Sequence, residues 1–161
     1  KELRQVMTGL RPPSLDELGL VHTLRQALER LKPEGIAYHL DITGEPLRLH
    51  PNTEITIYRV VQEALNNVRK HSEASAVVLR LQFEPGNIMA EVSDNGKGFN
   101  LNQTMRHIPV GHMGLLGMQE RATMLGGTLR IKAKPGAGTS ICLMLPIASS
   151  EASLKANEHN I

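Results

Sequence analysis

Glu63, Asn67 and Lys70 stand at i, i+4 and i+7 of a segment whose apolar residues Ile57, Val61, Ala64, Leu65 and Val68 share one helical arc. Such a polar row has two readings. It can be a solvated face carrying an ordinary side-chain ladder, worth a few tenths of a kcal/mol. It can also be a cradle for a metal-bound polyphosphate. Asn66-Asn67 in mid-helix favours the second, because asparagine amides compete for the backbone and have poor helix propensity. Carboxylate and amide oxygens are hard donors suited to Mg²⁺, which keeps several waters and shares phosphate oxygens. Lysine would meet the remaining phosphate charge.

Two glycine-rich segments offer complementary chemistry. Asp94-Asn95-Gly96-Lys97-Gly98 follows an apolar-alternating stretch. It is either a plain turn or a carboxylate at a strand end, placed to accept a hydrogen bond from an adenine amino group. In the latter case Gly96 and Gly98 let a ring approach the backbone. Gly111-His112-Met113-Gly114-Leu115-Leu116-Gly117 then enters a helix, where exposed amide hydrogens and the helix dipole favour an anion. A lone G-x-x-G carries little weight. The chain has neither a G-x-x-x-x-G-K-S/T loop nor a G-x-G-x-x-G opening a βαβ unit.

The elements that must position these residues follow from periodicity and breakers. Residues 1–11 are helix-compatible until Pro12-Pro13 stops them. Ser14 to Glu17 reads as a capping box for a helix over 14–32, with Leu18, Val21, Leu24, Leu28 and Leu31 inward. A strand is expected over 36–42 and a long helix over 51–71. Hairpins pair 76–83 with 88–94 and 128–134 with 139–147. A glycine-rich loop over 95–114 and a helix over 115–125 lie between them, and the polar tail from Ser149 is expected to fray. This order suggests an α/β (α+β) two-layer sandwich: a mixed, largely antiparallel sheet with helices on one face.

Composition narrows the function classes. The 161 residues suit one domain, and 40% hydrophobic with 21% charged residues excludes wholesale disorder. The single cysteine, Cys142, excludes a disulfide framework and a multi-cysteine zinc site, and its apolar neighbours predict an inert core thiol. Eighteen basic against sixteen acidic residues is ordinary surface charge. With only four scattered aromatics and no Trp, no nucleic-acid partner is expected. No apolar run is long enough to span a bilayer, so a cytoplasmic chain without membrane contact is expected.

QEALNNVRKHSEA (62–74), VSDNGKGF (92–99), GHMGLLGMQERATMLGG (111–127) and PGAGTSICLMLP (135–146) resemble, in this order, four family motifs. They are the N box, two glycine boxes and closing G-x-G-T strand of sensor histidine-kinase ATP-binding domains. That is the GHKL (Bergerat-type) fold shared with gyrase, MutL and the large ATP-driven heat-shock chaperone. The E-R-A-x-x-L-G-G run resembles the nitrate-sensor and DesK-like subclass paired with LuxR-type response regulators. LRPPSLDELGLVHTL (10–24) resembles the junction between dimerisation helices and catalytic domain in that subclass.

The resemblance implies ATP and Mg²⁺ as cofactors. Asn67 would coordinate the metal, with Glu63 on its water shell or positioning the γ-phosphate. Lys70 and His71 would face phosphates. Asp94 would read adenine N6, with Gly96 and Gly98 shaping the pocket. Residues 99–117 would form a lid hinged on Gly111, Gly114 and Gly117, with Leu115 beside the nucleotide, and Thr139 would support the adenine end. Arg69 and Arg121 are candidates for the transition state. Residues 1–13 would end the second dimerisation helix, 14–148 would be the catalytic domain and 149–161 a disordered tail. None of the seven histidines precedes Asp or Glu, so the phosphoacceptor box is expected on an absent dimerisation domain. The implied partners are that domain and a LuxR-type regulator. The fragment would be monomeric, and its parent a homodimer with room for an inner-membrane anchor. Two other readings stay open: an ATPase using Glu63 to activate water, and a pseudokinase that only binds nucleotide.

Overall fold

The apolar arc of the long helix finds its partner in the inward face of a five-stranded sheet. The computed structural model describes residues 11–106 and 113–147. In chain order the helices and strands are α1 (Pro13–Glu17), α2 (Leu20–Glu29), β1 (Ala37–Thr43), α3 (Pro51–Asn67), β2 (Ala76–Glu84), β3 (Asn87–Asp94), α4 (Leu101–Arg106), α5 (Met113–Met124), β4 (Thr128–Ala133) and β5 (Thr139–Pro146). A short 3₁₀ turn, Lys32–Glu34, precedes β1, and one π turn, Val68–Ser72, extends α3.

The sheet order is β1-β2-β3-β5-β4. Only β1 and β2 are parallel; the other pairs are antiparallel. A parallel pair needs a long crossover, and α3 supplies it, whereas the two hairpins close antiparallel neighbours. This is the mixed, largely antiparallel sheet with helices on one face that the element order predicts. Ile57, Val61, Ala64, Leu65 and Val68 are all buried. They pack into one core with Leu79, Leu81, Ala90, Val92, Ile141 and Leu143 from the central strands.

Four details depart from the sequence reading. The helix expected over 14–32 is two helices, because Gly19 adopts φ 86°, ψ 173° and interrupts it. As a result Leu15 is fully buried while Leu18, expected inward, is 54% exposed. Second, the capping box does not form. Pro12 occupies the N-cap with no side-chain cap, Pro13 presets the first turn, and Ser14 Oγ lies 3.2 Å from the Thr23 hydroxyl instead. Third, the stretch expected as loop over 95–114 contains α4, started by Asn100 Oδ1 accepting from the Gln103 N–H at 3.2 Å. Fourth, Cys142 is half-buried, not in the core. Ile141 and Leu143 take the helix side of β5, so strand alternation turns Cys142 to the opposite face across from Glu91 and Arg130. Burial, reinforced by Glu91, still pushes its thiol pKa up, which keeps the unreactive thiol form dominant.

The expectations for residues 1–10, for Gly111 and for the tail from Ser149 lie outside the described residues. No described helix is long and apolar enough to cross a membrane.

Candidate functional site

A cleft opens between the C-terminal turns of α3 and the ends of β3 and β5. Ala64, Asn67, Val68, His71 and Ser72 form its helical wall. Across it stand Val92 and Asp94 from β3, and Thr139 and Ile141 from β5. Gly98, Phe99 and Leu115 close the remaining side. Apolar and polar side chains share the lining, the usual composition of a small-molecule site.

Asp94 ends β3 opposite Thr139 of β5. One carboxylate oxygen accepts the Gly96 N–H at 2.8 Å. Burial pushes the Asp94 pKa up, and the N–H groups of Gly96 and Thr139 pull against that shift. An ionised carboxylate has about four lone-pair sites, so capacity remains for a ligand donor.

The glycines around Asp94 are required by backbone contacts as much as by a ligand. A Cβ on Gly96 would overlap the Ser72 backbone, and one on Gly138 (φ 75°) would overlap the Asp94 carbonyl. Ser72 is the buried hub of this corner. Its hydroxyl donates to the Val68 carbonyl at 2.6 Å and accepts from the Ala74 N–H at 3.1 Å. Its carbonyl accepts the Lys97 N–H at 2.7 Å. Asn95 adds a second stitch, its Oδ1 accepting from the N–H groups of Ser75 and Ala76, each at 3.0 Å.

The π turn changes the polar row. With more residues per turn, it interrupts the α-helical spacing between Asn67 and Lys70. His71 lines the cleft, whereas Lys70 is exposed and lies outside the lining. Glu63 is half-buried, also outside the lining, and faces Gly114, where a Cβ would overlap its carboxylate. Gly114 and Gly117 therefore sit inside α5, not at a loop hinge. Leu115 lies within the cleft as expected, and nothing crowds Gly117. Arg69, a candidate for phosphate chemistry, is tied to Glu34 at 2.6 Å. Arg121 is exposed; burial lowers the pKa of Arg59, and the charge of Arg121 adds to that shift.

The structure thus brings Asn67, His71, Asp94, Gly98, Leu115 and Thr139 to one cleft. Gly96 stands directly behind it. Sequence reasoning gave no role to Ser72, which no spacing rule singles out, and placed Phe99 only at the start of the lid. It also missed Gly138, for which the P-G-A-G turn was the available signal.

The donor set fits a shared divalent cation. Asn67 presents an amide group to the cleft and Glu63 stands one helical turn earlier. Among the described residues no cluster of three His, Cys, Asp or Glu could hold a metal alone. A hard cation there would take most of its ligands from phosphate and water, which is the habit of Mg²⁺.

Residues 52–149 match the family model described as "Histidine kinase-, DNA gyrase B-, and HSP90-like ATPase". The chain is 37% identical over 151 residues to the signal transduction histidine-protein kinase/phosphatase DegS of Brevibacillus brevis, covering 93% of this chain and 38% of that protein. It is 37% identical over 150 residues to the oxygen sensor histidine kinase NreB of Staphylococcus carnosus, covering 91% and 42%. The chain thus spans about two fifths of the length of these curated relatives. Among solved structures, the histidine kinase domain of a blue-light activated kinase from Erythrobacter litoralis superposes with a TM-score of 0.65 at 18% identity, covering 83% of this chain and 63% of that one. That likeness concerns the fold. With the matched segment running from the first turn of α3 through β5, the chain belongs to the histidine kinase-, DNA gyrase B- and HSP90-like ATPase family.

Proposed function

We propose that this chain is the ATP-binding catalytic domain of a two-component sensor histidine kinase. The observation that carries the reading is the position of Asp94: a half-buried carboxylate at a strand end, across an apolar cleft from Asn67 and His71. Asp94 accepts from the adenine amino group while Val92, Ile141, Phe99 and Leu115 enclose the ring. Thr139 supports that end. Asn67 orients the phosphates from α3, and His71 and Lys70 offset their charge. Mg²⁺, when bound, supplies charge neutralisation of the phosphate oxygens. Glu63 holds its carboxylate at the phosphate end, fixed there by contact with Gly114. The chain's work is positioning and exclusion of water, with α5 as the moving side.

The γ-phosphoryl group passes to a histidine on the parent's dimerisation domain and then to an aspartate of a response regulator, of the LuxR type in this subclass. The names of the relatives, DegS and NreB among them, support the kinase reading over the ATPase and pseudokinase alternatives. Residues 1–13 would join the dimerisation helices and 14–148 form the domain. In this reading the chain is a cytoplasmic monomer and its parent a homodimer.

Thermal unfolding with and without Mg·ADP tests the reading. At 100-fold saturation binding should add about 2.7 kcal/mol, a rise of roughly 5–10 °C for a chain of this size. The rise should vanish in Asp94→Ala and become insensitive to Mg²⁺ in Asn67→Ala. A well-folded chain with no shift would refute nucleotide binding.

A further inference from the structure

The side of the sheet turned away from the helices carries a second groove. Strand alternation puts Ser93, Ser140 and Lys132 on that side, and the register sets them in one row across β3, β5 and β4. The groove runs from this row to the start of α4, and Lys134, Asn100 and Asn102 complete its polar lining. Asp94 and Thr139 border it as well. By the same alternation their side chains belong to the opposite face, where they line the first cleft. The two sites therefore stand back to back.

The chemistry of this lining is one-sided. Lys132 and Lys134 are both exposed, and among the described residues neither has an ion pair. Asn100 Oδ1 already accepts from the Gln103 N–H at 3.2 Å, which leaves the amide NH₂, a donor, for the groove. The Ser93 hydroxyl donates to Ser140 at 3.2 Å, and the Ser140 hydroxyl to Glu91 Oε2 at 3.2 Å. Arg80 Nη1 holds the other Glu91 oxygen at 2.8 Å, so the carboxylate that this hydroxyl chain reaches is compensated. The lysines stand about 7 Å apart along the strand, a span at which two ammonium groups can hold one small anion between them. Their hairpin is anchored. The Gly136 N–H donates to the Lys97 carbonyl at 2.6 Å, and a Cβ on Gly98 would overlap the Lys134 carbonyl.

We propose that this groove is a phosphate site, in which Lys132 and Lys134 meet the charge of a small phosphate-bearing anion and Asn100 and Asn102 donate to its oxygens. Ser93 Oγ, donating to Ser140, keeps lone pairs for a P–O–H or an ester hydroxyl. The site is separate from the nucleotide cleft and does not depend on the nucleotide reading.

Titration of inorganic phosphate into this chain, at constant ionic strength against chloride and followed by amide NMR shifts, is the test. Saturable one-to-one shifts should appear at Ser93, Asn100 and Ser140, and should persist with the first cleft filled by Mg·ADP. Lys132→Ala and Lys134→Ala should each weaken phosphate about tenfold. Asn102→Asp, which brings a carboxylate to the groove from α4, should weaken it too and carries the test where β4 tolerates no change. Glycerol phosphate in the same titration separates the two sources of the group: tighter binding assigns an ester, equal binding the free ion. Shifts that stay linear in phosphate, or that chloride reproduces, would overturn the proposal. So would shifts centred on Asn67 and His71 that Mg·ADP displaces and the lysine variants leave unchanged, because phosphate would then occupy the nucleotide cleft. A chain that binds phosphate in the groove but no Mg·ADP would refute the nucleotide reading alone.

Discussion

Asp94 carries a conflict between stability and binding that can be measured. Burial raises its pKa above the ordinary 3.8, so ionisation costs the folded state free energy. Its contribution to stability is fully present below the unfolded value and is lost as pH rises through the raised folded one. Binding runs the opposite way, because only the ionised group accepts from an amino donor without presenting a proton of its own. Mg·ADP affinity should therefore fall as pH drops through the folded pKa, beginning above 3.8, while the ligand-free chain gains from Asp94 over the same interval. Asp94→Asn separates the two effects. Its Oδ1 can still accept from Gly96 and Thr139, so Tm at neutral pH should hold or rise. The charge-assisted bond to the ligand is lost, weakening ADP roughly tenfold to a hundredfold by titration calorimetry. A parallel loss of Tm and affinity would contradict this account.

At the scale of elements, α3 and α5 meet where the Glu63 carboxylate lies against Gly114. Gly114→Ala should overpack that contact and cost about 1–3 kcal/mol in denaturant unfolding. Glu63→Ala in the same chain should recover most of the loss, because the overlapping carboxylate is gone. If stability stays depressed in the double variant, the contact is not what demands glycine. This contact also marks the limit of sequence reading. The presence of Asn67 and Asp94 at the cleft was legible because their types and spacing within single elements are unusual, and the buried arc of α3 because helical periodicity is local. The partners of Gly96, Gly114 and Gly138 were not, since each faces a residue from a distant part of the chain. The break at Gly19 and the π turn after Asn67 were hidden for a related reason. Both interrupt a pattern that looks continuous when only apolar spacing is counted.

For the whole molecule, the reading turns on where the γ-phosphoryl group goes. In the proposed reading Asn67, His71, Asp94 and Thr139 hold the nucleotide, and the acceptor histidine comes from another domain. Transfer should therefore occur in trans to a separately produced dimerisation domain, with label from radioactive ATP appearing on histidine and then on a receiver aspartate. Tethered modules experience effective concentrations in the mM range, so with about 10 μM acceptor the transfer should be on the order of 100-fold slower than in a covalently joined parent. Its rate should rise linearly with acceptor concentration over that range, since positioning and not chemistry is what a tether supplies. Glu63→Ala should then abolish labelling. Release of free phosphate with no labelled histidine, lost in Glu63→Ala, would instead establish the water-activating ATPase. Binding of ADP with neither product would establish a domain that keeps the pocket and has given up the reaction.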